Sequence, residues 1–167
     1  ESGSLVLGGS AFNIKAESIR FKDFTKDDVY NLYRQHTEET GQKFTREAIE
    51  HAFYLTNGQP WLVNALAYHV CFRDIKDRSI EITKDHIEKA KEELILRRDT
   101  HLDQLADKLR EERVRRIVDV IINSESESYD FPTDDVQYVR DLGLISLREL
   151  RIANPMYNEV IPRELTY

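Results

Sequence analysis

The sequence lacks most of the motifs on which catalysis or tight cofactor binding commonly depends. Cys71 is the only cysteine among 167 residues, which excludes a disulfide framework and a thiolate metal cluster. It lies in the apolar run 65–72, and we expect an inert buried thiol. The six glycines never have the spacing Gly-x-x-x-x-Gly-Lys-Ser/Thr, and no apolar strand ends in acidic residues placed to hold Mg²⁺. The chain by itself is therefore not expected to hydrolyse nucleoside triphosphates, and we predict that it is not an enzyme.

Membrane, nucleic-acid and metal signatures are also absent from the sequence. No apolar run has the length of a membrane span, and the N-terminus lacks the basic-then-apolar pattern of a signal peptide. We therefore expect a cytoplasmic location and no membrane partner. The net charge of −7 disfavours non-specific binding to nucleic acid. The five histidines form no His-x-x-x-His pair, and no acidic residue completes a metal triad at an evident spacing, so no metal site is predicted.

The sequence does contain a repeated helical pattern. With 40% hydrophobic and 33% charged residues, the composition is typical of a mainly α fold, in one ordinary domain or two small ones. Capping threonines precede three amphipathic segments, at Thr25, Thr45 and Thr83, and Gly41 ends the first of them. Another helix, predicted from Pro60 to about residue 73, is apolar on nearly all sides. Such a helix belongs in the middle of a bundle.

Between the second and third of these helices, the stretch 56–66 predicts a stiff corner. Asn57 and Gly58 are typical of a helix end, because both residues tolerate the left-handed conformation. Gln59 precedes a proline and should be extended, and Pro60 suits the first position of a helix. The corner could present the Pro60 ring and the Trp61 indole as a platform for a flat ligand. The alternative is a tight helix–helix turn with Trp61 packed in the core.

The C-terminal half has the element order of a winged-helix module. Apolar periodicity runs from Leu102 to Ile121 after a possible break near residues 99–100, and a short helix is predicted over 133–142. Two β-like pieces, 144–147 and 150–153, then suggest a small hairpin. The stretch 124–132, where the second helix of such a module should fall, is too polar and too short. We therefore expect a degenerate winged-helix domain.

Four segments together resemble a known family. They are residues 10–19, the Gly58-Gln59-Pro60 corner, residues 141–145 and residues 152–157. They resemble the C-terminal half of AAA-like ATPases, in the STAND and archaeal-ATPase branch of P-loop NTPases, and the resemblance covers almost the whole chain. It implies three parts: a tail of the missing nucleotide-binding core or a linker (1–24), a helical lid (25–98) and a winged-helix-like domain (99–167). It also explains the single short strand predicted over 14–24.

The resemblance implies a nucleotide site at the corner. Gly58, Gln59 and Pro60 would lean on the bound nucleotide, with Pro60 near the adenine. Many AAA+ proteins carry an arginine at the next position, and this chain has Trp61, which implies packing on the base rather than sensing of the γ-phosphate. ATP or ADP with Mg²⁺ is then expected only in the full-length parent, which would supply an N-terminal nucleotide-binding core. The chain would be a non-catalytic part that relays nucleotide state to a protein partner or an appended effector domain.

Two other functions remain open from the sequence: a winged-helix DNA-binding regulator and a helical protein-interaction module. The predicted recognition helix carries Asp134, Asp135 and Asp141 against one arginine, Arg140, a poor balance for the major groove. The predicted hairpin offers two arginines, Arg148 and Arg151. The basic run 108–116 is interrupted by two glutamates and is interpreted as a solvated helix face. We therefore expect weak or no DNA binding.

Overall fold

The computed structural model describes Phe12 and residues 22–97, 100–123 and 130–165. Within these ranges the protein is mainly α, as the sequence predicts. The helices are α1 (Lys26–Thr40), α2 (Arg46–Thr56), α3 (Pro60–His69), a π-helical turn (Val70–Asp74), α4 (Lys84–Arg97), α5 (Thr100–Leu109), α6 (Glu112–Asn123), α7 (Thr133–Asp141) and α8 (Pro155–Leu165). The predicted linker lies, apart from Phe12, mostly outside the described residues, and so does most of the strand predicted over 14–24. Residues 22–24, the described end of that stretch, are not in a strand.

The first helices begin and end where their capping residues predict. Thr25 and Asp28 form a capping box: the Asp28 N–H donates to Thr25 Oγ1 at 3.1 Å, and the Thr25 N–H donates to Asp28 Oδ2 at 2.9 Å. Thr45 Oγ1 accepts from the Ala48 N–H and caps α2 in the same way. Gly41 ends α1 with φ of 80°, a left-handed conformation that glycine adopts without strain.

The predicted hairpin of the C-terminal half is not confirmed. The structure has one isolated antiparallel bridge there, between Ile145 and Ile152. The ladder stops because the Ser146 hydroxyl accepts from the N–H groups of Arg148 and Glu149, which bends the backbone immediately after the bridge. In the N-terminal half, an isolated parallel bridge joins Phe44 to Ile82.

The basic run 108–116 does not form one helix face. α5 ends at Leu109 and α6 begins at Glu112, so the run crosses a turn. The N–H groups of Arg110 and Glu111 bond to carbonyls three residues earlier, which tightens the chain out of α-helical geometry. The sequence pattern did not predict this break, because both helices bury apolar residues at helical spacing and the periodicity continues across the turn.

The chain divides into two compact units. The first contains the described residues up to Leu94, and the second starts at Ile95. In the first unit α3 is buried along most of its length, as its apolar sequence predicts, and Phe12 packs edge-on against Tyr33 at a centroid distance of 5.6 Å. In the second unit a buried aliphatic core is shared by α6, α7, the bridge region and α8; it includes Val114, Ile117, Val118, Val139, Leu144, Ile145, Met156 and Ile161.

Candidate functional site

The corner between α2 and α3 has the predicted backbone. Asn57 and Gly58 are left-handed, with φ of 48° and 79°. Gln59 is extended, with φ of −64° and ψ of 118°, and Pro60 is the first residue of α3. The proline therefore costs no helix hydrogen bond, and its fixed φ sets the direction in which α3 leaves the corner.

The corner is fixed by the segment that enters α1. The Phe24 N–H donates to the Gly58 carbonyl at 2.7 Å. A Cβ atom added at Gly58 would lie 2.0 Å from the Phe24 carbonyl oxygen, so no larger residue fits without moving the backbone. The Thr56 hydroxyl donates to the Ala52 carbonyl at 2.8 Å and accepts from the Gly58 N–H at 3.2 Å. Gly58 is thus hydrogen-bonded both to the segment that leads into α1 and to the last residue of α2.

The four residues proposed to face a nucleotide differ in exposure. Gly58 and Gln59 are buried, whereas Pro60 and Trp61 are half-buried and present part of their surface to solvent. Asn64 Nδ2 donates to the Pro60 carbonyl at 2.9 Å and holds the first turn of α3. The arrangement presents part of a proline ring and part of an indole at the start of α3.

A second group of side chains, which the sequence spacing did not predict, meets at the end of α3. His69 Nε2 lies 2.6 Å from Glu93 Oε2 on α4 and 3.5 Å from Asp74 Oδ1 at the end of the π-helical turn. One ligand atom from each of these residues lies within 4.8 Å of the others. We call this group the His69 cluster.

The π-helical turn explains why residue spacing does not predict the His69 cluster. The Ile75 N–H donates to the Val70 carbonyl at 2.7 Å, a five-residue step that places Asp74 on the side of His69. The third member is 24 residues away, so only the packing of α4 brings it into range. Neither the contact between His69 and Asp74 nor that between His69 and Glu93 follows from a regular spacing in the sequence.

The two carboxylates of the His69 cluster have opposite electrostatic environments. Burial raises the pKa of Asp74, and a hydrogen bond with the neighbouring Glu93 carboxylate raises it further. The hydrogen bond from His69 lowers the pKa of Glu93. Asp74 Oδ2 is buried and has no hydrogen-bond partner in the described part of the chain. Chemically, the group can share a proton or hold a cation.

A second histidine–carboxylate pair in the same unit has a different third member. His51 Nε2 and Glu88 Oε1 are hydrogen-bonded, and Lys91 Nζ lies 3.2 Å from Glu88 Oε2. Burial opposes ionisation of Glu88, yet the hydrogen bonds from His51 and Lys91 keep its pKa below the usual value. Here the protein supplies its own cation where the His69 cluster has a second carboxylate.

In the second unit, several basic side chains near the predicted recognition helix bond to protein groups. Arg140 Nε donates to the Ser146 carbonyl at 2.9 Å. Arg116 pairs with Asp135 at 3.2 Å, and Arg151 pairs with Glu149 at 2.9 Å. These bonds reduce the positive charge that a phosphate backbone could find there.

No protein-family model, curated protein or solved structure matches the chain. The resemblance to AAA-like and STAND ATPases thus depends on the quoted residues alone. Among the described helices, none combines the length and the apolar character needed to cross a lipid bilayer.

Proposed function

We propose that this chain is the non-catalytic C-terminal part of an ATP-binding, AAA-like or STAND-type ATPase. Its first unit is the helical lid, and its second unit relays the state of the nucleotide to a protein partner or an appended effector domain. The observation that carries the proposal is the α2–α3 corner, where a left-handed pair and a proline hold Trp61 half-exposed on a stiff backbone. Its location is proposed to be cytoplasmic.

The proposed binding mode is packing on the adenine. Pro60 and Trp61 offer an apolar, aromatic surface. A base stacked on the indole would keep its polar edge free to form hydrogen bonds with the proposed N-terminal nucleotide-binding core. No arginine follows Pro60, so the lid does not contact the γ-phosphate through this motif. ATP and ADP, with Mg²⁺, bind to the parent protein through its own N-terminal core.

The hydrogen bond between Phe24 and Gly58 suggests how lid movement is transmitted. The segment that leads out of the proposed core tail is bonded to the corner itself. A nucleotide that binds the closed arrangement more tightly than the open one shifts the population toward closure. The corner and the entering segment then move as one piece.

The test uses the natural protein that contains this chain, together with mant-labelled ADP. Trp61 is the only tryptophan in these 167 residues, so energy transfer to the mant group that disappears in Trp61→Phe must originate at the corner. We expect energy transfer on binding, and we expect Trp61→Phe to remove that transfer while binding persists. Pro60→Ala should weaken mant-ADP binding roughly threefold to tenfold, equivalent to about 0.7–1.4 kcal/mol.

Two results would overturn the proposal. One is a natural protein whose preceding region has no phosphate-binding loop. The other is nucleotide binding in which energy transfer is the same in the wild type and in Trp61→Phe. The first result would favour the helical protein-interaction module.

The DNA-binding alternative has less support, because arginines of the second unit are paired with carboxylates or bonded to backbone. We expect the chain to bind duplex DNA poorly. Sub-micromolar, salt-sensitive binding in a gel shift would contradict this expectation and favour a winged-helix regulator.

A further inference from the structure

The His69 cluster lies within the first unit and shares no residue with the α2–α3 corner. The His69 side chain is 4% exposed, and the side chains of Asp74 and Glu93 are 12% and 20% exposed. Two carboxylates therefore share a poorly hydrated site with one imidazole. Placing two negative charges together in such a site is unfavourable unless a proton or a cation joins them.

The polar atoms of the cluster are not all satisfied by the protein. His69 Nε2 lies near both carboxylates, and the Lys89 ammonium lies 3.6 Å from Oε1 of Glu93, the oxygen that His69 does not contact. Asp74 Oδ2 has no hydrogen-bond partner among the described residues although it is buried. A buried carboxylate oxygen without a partner costs free energy, and a bound cation would remove that cost.

The distances are close to those of a metal site. Ligand atoms in a tetrahedral zinc site lie about 2.0–2.2 Å from the metal and hence roughly 3.3 Å from one another. The distance from His69 Nε2 to Asp74 Oδ1 is already 3.5 Å. The distance from His69 Nε2 to Glu93 Oε2 is 2.6 Å and would lengthen by about 0.7 Å as a metal replaces the shared proton.

We propose that His69, Asp74 and Glu93 bind a divalent transition-metal ion, with Zn²⁺ the best match. One imidazole and two carboxylates suit Zn²⁺ better than Mg²⁺ or Ca²⁺, which prefer all-oxygen ligands. Three protein ligands leave a fourth position for water, which the partly exposed carboxylates allow to enter. The ion clamps the end of α3, the π-helical turn and α4 together.

The His51–Glu88 pair shows what the same unit does without a metal. There the Lys91 ammonium lies beside the carboxylate and supplies the positive charge. A metal at that place would meet an ammonium and would have only one carboxylate. The His51–Glu88 pair is therefore a matched control in the same protein, with a histidine and a glutamate in hydrogen-bond contact but no third acidic residue.

The experiment is calorimetric titration of the metal-free full chain with ZnCl₂, followed by chelator competition. We expect one Zn²⁺ per chain, with Mg²⁺ and Ca²⁺ much weaker. His69→Gln, Asp74→Asn and Glu93→Gln should each lower the Zn²⁺ affinity at least about tenfold. His51→Gln should leave it unchanged. Cys71→Ser should also leave it unchanged, because the thiol is not one of the proposed ligands.

Two further readouts keep the result independent of folding defects. At a Zn²⁺ concentration one hundred times the wild-type dissociation constant, the melting temperature should rise by about 5–10 °C in the wild type and by about half of that or less in Glu93→Gln. Glu93 is the most exposed ligand, so its variant is the one expected to retain the fold. Co²⁺ should give visible bands typical of nitrogen and oxygen ligands without thiolate charge transfer.

The proposal is overturned if folded Glu93→Gln keeps the wild-type Zn²⁺ affinity, or if His51→Gln loses as much affinity as His69→Gln. It is also overturned if Cys71→Ser abolishes binding. A cluster that only shares a proton would show no stoichiometric Zn²⁺ binding at all.

Discussion

The interiors of the two units differ in chemistry. Among the described residues, the first unit buries several polar side chains, whereas the second buries one, Asn154. Those of the first unit are His36, Gln42, Thr56, Gln59, His69 and Lys91. Both candidate sites lie in the first unit, and each includes one or more of these buried polar side chains. Buried polar networks specify one arrangement of the chain, because any other arrangement leaves groups without partners.

Gln42 shows how such a network fixes the first unit. Its amide nitrogen lies within 3.0–3.3 Å of three backbone carbonyls in the loop after the π-helical turn, those of Ile75, Asp77 and Ile80. Its amide oxygen accepts from His36 Nε2 and from Arg78 Nη1, each at 2.9 Å. One buried side chain therefore stands in for regular secondary structure along the loop.

The second unit relies on aliphatic packing. Its described interior side chains are mainly Val, Leu and Ile, and its ion pairs, such as Arg116 with Asp135, lie at the surface. Such a core tolerates the substitution of one aliphatic side chain by another as long as the side-chain volume is similar. The comparison thus predicts that the units respond differently to polar and to apolar substitutions.

The largest expected effect is a cavity in the second unit. Ile117 is fully buried, so Ile117→Ala should lower the free energy of unfolding by about 2–5 kcal/mol, while Ile117→Val should lower it by only about 0.5–1.5 kcal/mol. Urea denaturation followed by circular dichroism measures both. Equal losses in the two variants would show that shape, not hydrocarbon volume, governs this core.

The next effect is removal of the polar hub in the first unit. Gln42→Leu keeps a similar volume but removes one hydrogen-bond partner from His36, from Arg78 and from each of the loop carbonyls, so we expect a loss of about 2–4 kcal/mol. Gln35→Leu, on the exposed face of α1, is the control and should change stability by less than about 0.5 kcal/mol. A Gln42→Leu variant as stable as the wild type would remove the contrast between the two interiors.

A pair of glycine substitutions measures the close contact at the corner. Gly58 and Gly41 have nearly the same left-handed φ, 79° and 80°. A Cβ at Gly41 meets nothing within 4 Å, whereas at Gly58 it meets the Phe24 carbonyl oxygen. Gly41→Ala should therefore cost only the left-handed strain, about 1–2 kcal/mol.

Gly58→Ala pays the same strain, and it also forces the Phe24 segment away from the corner. We expect about 1–2 kcal/mol more destabilisation than in Gly41→Ala, since the hydrogen bond between Phe24 and Gly58 is lost too. The difference is read from unfolding curves of the two variants under identical conditions. Equal losses would mean that the entering segment contributes nothing to holding the corner.

The features that sequence analysis predicted are those that neighbouring residues determine. The caps at Thr25 and Thr45, the left-handed end at Gly58 and the helix start at Pro60 each depend on a few adjacent residues. The break between α5 and α6 was missed because amphipathic periodicity continues across it. The hairpin was predicted from two β-like pieces, and the hydroxyl of Ser146, within the first piece, bonds to the following N–H groups and bends the backbone there.

The His69 cluster and the Gln42 hub could not be predicted in this way. Both depend on contacts between residues 24 to 38 positions apart, and one depends on a π-helical turn that has no sequence signature. Tertiary packing alone brings Glu93 to His69 and the Ile80 carbonyl to Gln42. The half-exposed position of Trp61 is likewise a result of packing, since an indole at the start of an apolar helix is equally compatible with the core.

The smallest effect we expect is a pH dependence of stability that originates in the first unit. His36 is fully buried among Phe12, Phe44 and Phe72, with Nδ1 lacking a hydrogen-bond partner in the described residues. Burial lowers the pKa of His36, and the Arg78 guanidinium lowers it further, whereas the Gln42 hydrogen bond and the Glu39 carboxylate oppose this shift.

The direction of this pH dependence follows from the neutral form of the His36 imidazole, which the folded state favours. An unfolded histidine titrates near pH 6.5, so below about that pH the unfolded chain binds a proton that the folded chain resists. The stability that His36 contributes is thus complete above this range and is lost as the pH falls toward the lowered pKa. Asp74 has a raised pKa and therefore the opposite effect on the pH dependence of stability, but it is present in both the wild type and His36→Gln and cancels in their difference.

We expect wild-type stability to fall more steeply than that of His36→Gln between about pH 7 and pH 5. Parallel curves in urea denaturation would show that the polar interior of the first unit accepts a proton at no cost, and the contrast with the aliphatic second unit would then lose its electrostatic part.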